Sequence, residues 1–326
     1  MKGATKQRSV IRLIEEAIED GKYQNGDILP SVNKLGEEYG MSRLTVISAY
    51  RELQLRGIIS SIPGKGYFVT SERSSLQQKI FLLFDELNNF KEDLYNSFLE
   101  SMGNNAFIDI YFHHFNKDHF KHLVLESIGK YTAYVVMPVS FQGIADTLAK
   151  LPENRLYLLD QNNPGLPNDL PIVYQDFEKD IYNGLVLARE RLKKYNLLVL
   201  SHYEHFRKPG GILSGFKKFC EDHHFPYEIE PKIRERKIKK GEVYILTEDR
   251  NLVHVLLEAG TEKLEPGSDI GVIVYNETVL RKVTGNGITT ISTDFKTMGK
   301  NLARLIQDQS KQRIENPSEL ILRNSL

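Results

Sequence analysis

The chain has 326 residues, with 43 Lys and Arg against 43 Asp and Glu, and one cysteine. That length supports two or three domains with a full-sized core, and the zero net charge shows no overall basic excess toward nucleic acid. A single thiol excludes a disulfide framework or thiolate metal centre within the chain, and no apolar run is long enough to span a membrane. The start does not read as a signal peptide, so a cytoplasmic protein with no membrane partner is expected.

Val10, Leu13, Ile14, Ala17 and Ile18 recur at helical spacing and predict a first helix that stops at Gly21. After the turn NGDILP, Ser31 caps a second short helix that turns Leu35 inward and ends at Gly40. The stretch MSRLTVISAYRELQLRG, residues 41–57, is a third helix, capped by Ser42, stopped by Gly57 and buried through Val46, Ala49, Tyr50 and Leu53. Two helices so closely joined predict a helix-turn-helix. IISSIPGKGYFV then gives two short β-type runs around Pro63–Gly66, a hairpin that completes a winged helix. The outward face of the third helix carries Leu44, Ile47, Ser48 and Arg51, flanked by Arg43 and Thr45.

Residues 29–69 resemble the DNA-binding domain of GntR-type bacterial transcription regulators. The shared pattern runs leucine-proline-serine, glycine-x-serine-arginine-x-threonine-valine, then a glycine-lysine-glycine wing ending in phenylalanine-valine. The resemblance places Arg43 and Thr45 at the DNA-contacting start of the recognition helix, and Lys65 with Gly66 at the wing tip. Ser31, Asn33, Ser42, Leu44 and Ile47 complete the candidate DNA surface. The family usually has arginine where this chain has Asn33, and often another at Ile47. Arg43 can fork onto guanine, whereas Leu44 and Ile47 can touch only thymine methyls or sugar, if they are more than ordinary surface exposure. Residues 1–75 hold 11 Lys and Arg against 9 Asp and Glu, so local placement must supply phosphate binding.

A winged-helix domain over 1–70 and a polar, serine-rich linker over 71–78 are expected to precede a different unit, 79–326. There, strand-like runs such as KIFLLF, FIDIYF, AYVVMPV, LYLLD, NLLVLS, EVYILT and DIGVIVY alternate with amphipathic segments. This alternation predicts α/β architecture, a parallel sheet with helices on both faces. Asp85, Asn88, Ser140, Asp160, Gln161, Glu248 and Asn276 follow strands, where such folds bind ligands.

The ordered segments TAYVVMPVS, RLYLLDQN, ILSGFKKFC, DIGVIVYNE and GITTISTDFKTMGKNLARLIQ, with the ending NPSELILRNSL, resemble the effector domain of the lac repressor family. That family is similar to periplasmic sugar-binding proteins. The resemblance implies two α/β lobes, chain crossings near 175–180 and 290–295, and a sugar-sized ligand in the cleft. It assigns Asp160, Gln161, Glu248, Asn276, Thr293 and Phe295 to pocket positions, and Phe90 joins Asp85 and Asn88 in the candidate set. Asn276 stands where an aspartate is common, and Ile212 where the family usually keeps a ligand-binding arginine. Arg207 or His202 can reach in instead. Without the usual arginine fork, a neutral polyol is expected over a carboxylate-bearing ligand.

His113, His114, His119 and His122 lack the spacing of a metal site, PGKGYF is not a phosphate loop, and no G-x-S-x-G elbow exists. No cofactor, metal or catalytic residue is therefore expected. The expectation is a homodimeric repressor on double-stranded operator DNA, controlled by a monosaccharide. The alternative is a GntR-type regulator whose C-terminal domain is an enzyme or binds a non-sugar ligand.

Overall fold

The structure is a computed structural model describing residues 2–70, 78–138, 143–163, 165–203 and 210–326. Its first unit comprises α1 (Lys2–Glu19), α2 (Val32–Tyr39), α3 (Arg43–Leu55) and an antiparallel hairpin of β1 (Ile59–Ile62) and β2 (Gly66–Val69). Ile14, Val46, Ala49, Tyr50 and Leu53 are inaccessible to solvent, so the helical spacing of apolar residues becomes one shared core. The turn between α2 and α3 is tight because Gly36 has no side chain. A Cβ there would stand 2.9 Å from the Met41 carbonyl oxygen. The Tyr50 hydroxyl donates to the Pro30 carbonyl at 2.7 Å, and its ring meets Tyr67 edge-on at 4.5 Å, tying α3 to the wing.

The first lobe begins with β3 (Gln78–Phe84), α4 (Asn89–Met102), β4 (Ala106–Phe112), α5 (Lys117–Ser127), β5 (Ala133–Val136), α6 (Ile144–Leu148), β6 (Leu156–Gln161) and β7 (Ile172–Gln175). The second contains α7 (Phe177–Leu192), β8 (Leu197–Ser201), α8 (Gly210–His223), β9 (Tyr227–Glu230), β10 (Glu242–Leu246), α9 (Asp249–Thr261), β11 (Gly271–Tyr275) and β12 (Thr289–Thr293). The chain then returns to the first lobe as α10 (Phe295–Gln307) and β13 (Arg313–Glu315), and ends in the second as β14 (Ser318–Ile321). Sheet orders are β13-β7-β6-β5-β3-β4 and β14-β12-β11-β10-β8-β9, with β14 the antiparallel member. The central strands are buried on both faces, which is why they read as continuous apolar runs. Against the first sheet, α10 packs on α4 so closely that a Cβ on Gly299 would lie 2.5 Å from the Leu94 carbonyl oxygen.

The lobes are joined by three crossings, at 175–177, 293–295 and 315–318, where the sequence reading had two. The third is held by Asn316. Its amide N–H donates to the Tyr174 carbonyl at 2.7 Å, and its side chain donates to Thr293 Oγ1 at 2.9 Å and the Asp294 carbonyl at 2.8 Å. Thr293 Oγ1 donates in turn to the Pro317 carbonyl at 3.1 Å. Thr293 is therefore bonded into the crossings and is not among the residues that line the cleft. The neighbouring crossing takes its hydroxyl, contrary to the pocket role expected for it.

Candidate functional site

On the winged-helix unit, Ser42 and Ser31 are first of all helix caps. Ser42 Oγ accepts from the Thr45 amide at 3.2 Å and lies 2.8 Å from the Thr45 hydroxyl; Ser31 Oγ accepts from the Lys34 amide at 3.2 Å. Arg43, Leu44 and Asn33 are exposed, Leu44 to 78%, while Thr45 and Ile47 are half-buried. Lys65 and Gly66 sit in the exposed wing turn, closed by the Lys65 amide donating to the Ile62 carbonyl at 2.9 Å. The outward face of α3 is not uniform, however. Arg51 packs against the first lobe, since a Cβ on Gly129 would lie 2.7 Å from its guanidinium.

Between the lobes lies a cleft of about 350 Å³ at the carboxyl ends of the strands. It brings together Asp85, Asn88, Phe90, Asp160 and Gln161 of the first lobe with Glu248 and Asn276 of the second. Ser140 and Arg207 lie outside the described residues. Ile212 does line the cleft, so an apolar side chain stands where the resemblance implies an arginine. His202 lines it too.

Local structure fixes each group. Asn88 caps α4, accepting from the Lys91 amide at 3.2 Å. That turn aims Lys91, 4% exposed, at Asp85, and the two form a buried ion pair. Asp85 also accepts from the Glu86 amide at 2.6 Å. Phe90 stacks on Phe295, with ring centroids 4.9 Å apart. Gln175, at the end of β7, donates to Asp160, while its side-chain oxygen is buried with no partner among the described residues. The Asn276 side-chain oxygen is likewise buried with no partner among the described residues. Behind the second lobe's wall, Arg281 clamps the turn, donating to the Tyr275 carbonyl at 2.8 Å and to Asp249 at 2.6 Å.

Burial dominates the electrostatics. It raises the Asp160 carboxyl above its ordinary range, with Lys91 opposing and Asp85 reinforcing the shift. It lowers His113, just behind the cleft, to about 4, so that imidazole is neutral at physiological pH. Carboxylates and amide oxygens make the lining rich in acceptors, the complement of a ligand rich in hydroxyl donors. Lys91, Gln175, Thr247 and Phe177 were missed as lining residues by sequence reasoning. Nothing in the sequence around Lys91 signals burial, and the strand ending at Gln175 is only four residues long.

Residues 6–69 match the family described as bacterial regulatory proteins, gntR family. The N-terminal unit is a GntR-family helix-turn-helix domain. Within it, 67 residues are 40% identical to the uncharacterized HTH-type transcriptional regulator YcxD of Bacillus subtilis, covering 21% of this chain and 15% of that one. The chain thus spans only a small part of that curated relative. Among solved structures, the trehalose repressor from Escherichia coli aligns with TM-score 0.63 at 14% identity, over 75% of this chain and 100% of that one. A dimeric lac repressor with an 11-residue C-terminal deletion gives TM-score 0.64 at 15% identity, over 76% and 98%. The two lobes have the fold of LacI-type effector domains, joined here to a GntR-type reader.

Proposed function

We propose that the chain is a DNA-binding transcriptional regulator, a repressor, and that a small neutral sugar bound between its lobes controls it. The observation carrying this reading is the cleft itself. Acceptors from both lobes converge on one cavity, so a polyol bridging Asp85, Asp160 and Asn276 would draw the lobes together. The missing arginine at Ile212 argues against a carboxylate-bearing effector. A single winged helix makes too few contacts for tight specific binding, so the working form is a homodimer on an inverted repeat of double-stranded DNA. Cleft closure changes the distance between the two recognition helices, and a coupling of about 1–3 kcal/mol makes a useful switch. Effector binding releases the operator. No chemistry is assigned to the lobes, and no cofactor is needed.

A thermal-shift screen of monosaccharides, run beside a gel shift on the protein's own upstream DNA, tests this. Stabilisation by a neutral sugar that also weakens the shifted complex is the expected result. Specific DNA binding with no response to any sugar would point to a non-sugar ligand, and turnover of a stabilising compound would point to an enzyme.

A further inference from the structure

The first lobe is used at both ends of its sheet. The cleft occupies the carboxyl ends of the strands; at the opposite end, α1 and α3 meet the lobe around a cavity of about 160 Å³, lined by Gln78, Thr132, Arg155 and Tyr157 among others. The central contact is Glu52 of α3, which is 5% exposed. One of its carboxylate oxygens accepts from Arg56 Nε at 2.9 Å, inside the DNA-binding domain. The other accepts from Arg155 of the lobe. Arg155 is aimed by its own bond to the Tyr131 carbonyl at 3.2 Å, and Arg56 is anchored to Glu15 of α1 at 3.0 Å. Arg8 bonds Gln309 just beyond α10, and Arg51 lies on Gly129, so the central ion pair has a flanking contact from each helix. A carboxylate shared by two guanidiniums is strongly directional, so this arrangement restrains the rotation of α3 as well as its distance from the lobe.

We propose that the Glu52–Arg155 contact docks the DNA-binding domain on the first lobe in solution, so that the lobe, and not the connecting segment, sets where α3 stands. Docking is a property of the free chain; its consequence for DNA rests on the function proposed above. In a two-fold dimer, docked domains hold the recognition helices at one separation, whereas tethered domains adapt to several half-site spacings.

Arg155→Glu and Arg155→Ala test this in the full chain. Arg155 is half-buried, its one bond within the lobe is to the Tyr131 carbonyl, and Glu52 keeps Arg56, so both variants should fold, with the melting temperature of the lobes lowered by no more than the loss of that one bond. Small-angle scattering of the wild type should match the docked particle, and Arg155→Glu should scatter as an expanded one. Identical scattering by wild type and Arg155→Glu overturns the dock. Inserting half a helical turn, about 5 base pairs, between the half-sites of the protein's own operator should weaken the wild type roughly tenfold or more but Arg155→Glu less than about threefold. Equal losses would show that the dock does not set spacing. Absence of any sequence-specific DNA binding would sink the proposed function and leave the scattering result standing.

Discussion

Asp160 and Asn276 hold the same unusual backbone conformation in equivalent places of the two lobes, with φ of 75° and 67°. Asp160 lies at the end of β6, third in the first sheet, and Asn276 directly follows β11, third in the second. Aspartate and asparagine are the non-glycine residues that best tolerate left-handed backbone, and such strain gathers at binding sites. Both residues line the cleft, one from each wall.

If a sugar bridges this pair, Asp160→Ala and Asn276→Ala should each weaken it by about 1–3 kcal/mol, because a buried hydroxyl loses its acceptor. Operator binding without sugar should stay nearly unchanged. Isothermal calorimetry on each variant decides it, and unaltered affinity in both would move the effector site elsewhere.

Arg43 is exposed at the start of α3. Arg43→Ala should cost about 1–3 kcal/mol on the specific operator and far less on random DNA. Equal losses on both would make it a phosphate contact.

At the wing, Lys65→Ala should weaken binding to every sequence and lower the slope of log affinity against log salt by roughly one per contacting protomer. Measuring affinity across a salt series would show an unchanged slope if Lys65 does not reach phosphate.

Asp180, near the first crossing and 5% exposed, is raised to about 6, chiefly by burial, with Asp176 and Glu315 adding to the shift. Its stabilising contribution is complete below the ordinary value of 3.8 and is lost as pH rises toward about 6, where the native state holds a proton that the unfolded chain has released. Asp180→Asn should therefore flatten this part of the stability profile and raise the melting temperature at neutral pH. Thermal melts of both proteins between about pH 4 and pH 8 would contradict this if the two profiles ran parallel.

The DNA-binding unit was legible because its determinants are local. Ser31 and Ser42 cap, Gly40 (φ 63°) and Gly57 (φ 68°) terminate, and apolar spacing selects the buried face, all within 70 residues. The long central strands were legible for a similar reason, since burial on both faces leaves an unbroken apolar run. The ends of these strands also marked one side of the cleft and then the other, at Asp85, Asp160, Glu248 and Asn276.

What only the tertiary structure decided is where polar side chains spend their hydrogen bonds. Lys91 has the sequence context of a surface lysine and is buried because α4 swings it onto Asp85, at the end of a neighbouring strand. Thr293 looked available to a ligand until Asn316, 23 residues later, took its hydroxyl. Glu52 sits amid the polar residues of α3 and pairs with Arg155, 103 residues away. Lys91 meets its partner across a single turn six residues long, whereas Asn316 and Arg155 are distant in sequence from Thr293 and Glu52 and come close only after the sheets have formed. Local propensity and periodicity cannot encode that pairing, because the free energy of burying a charged or polar group depends on what the fold places beside it.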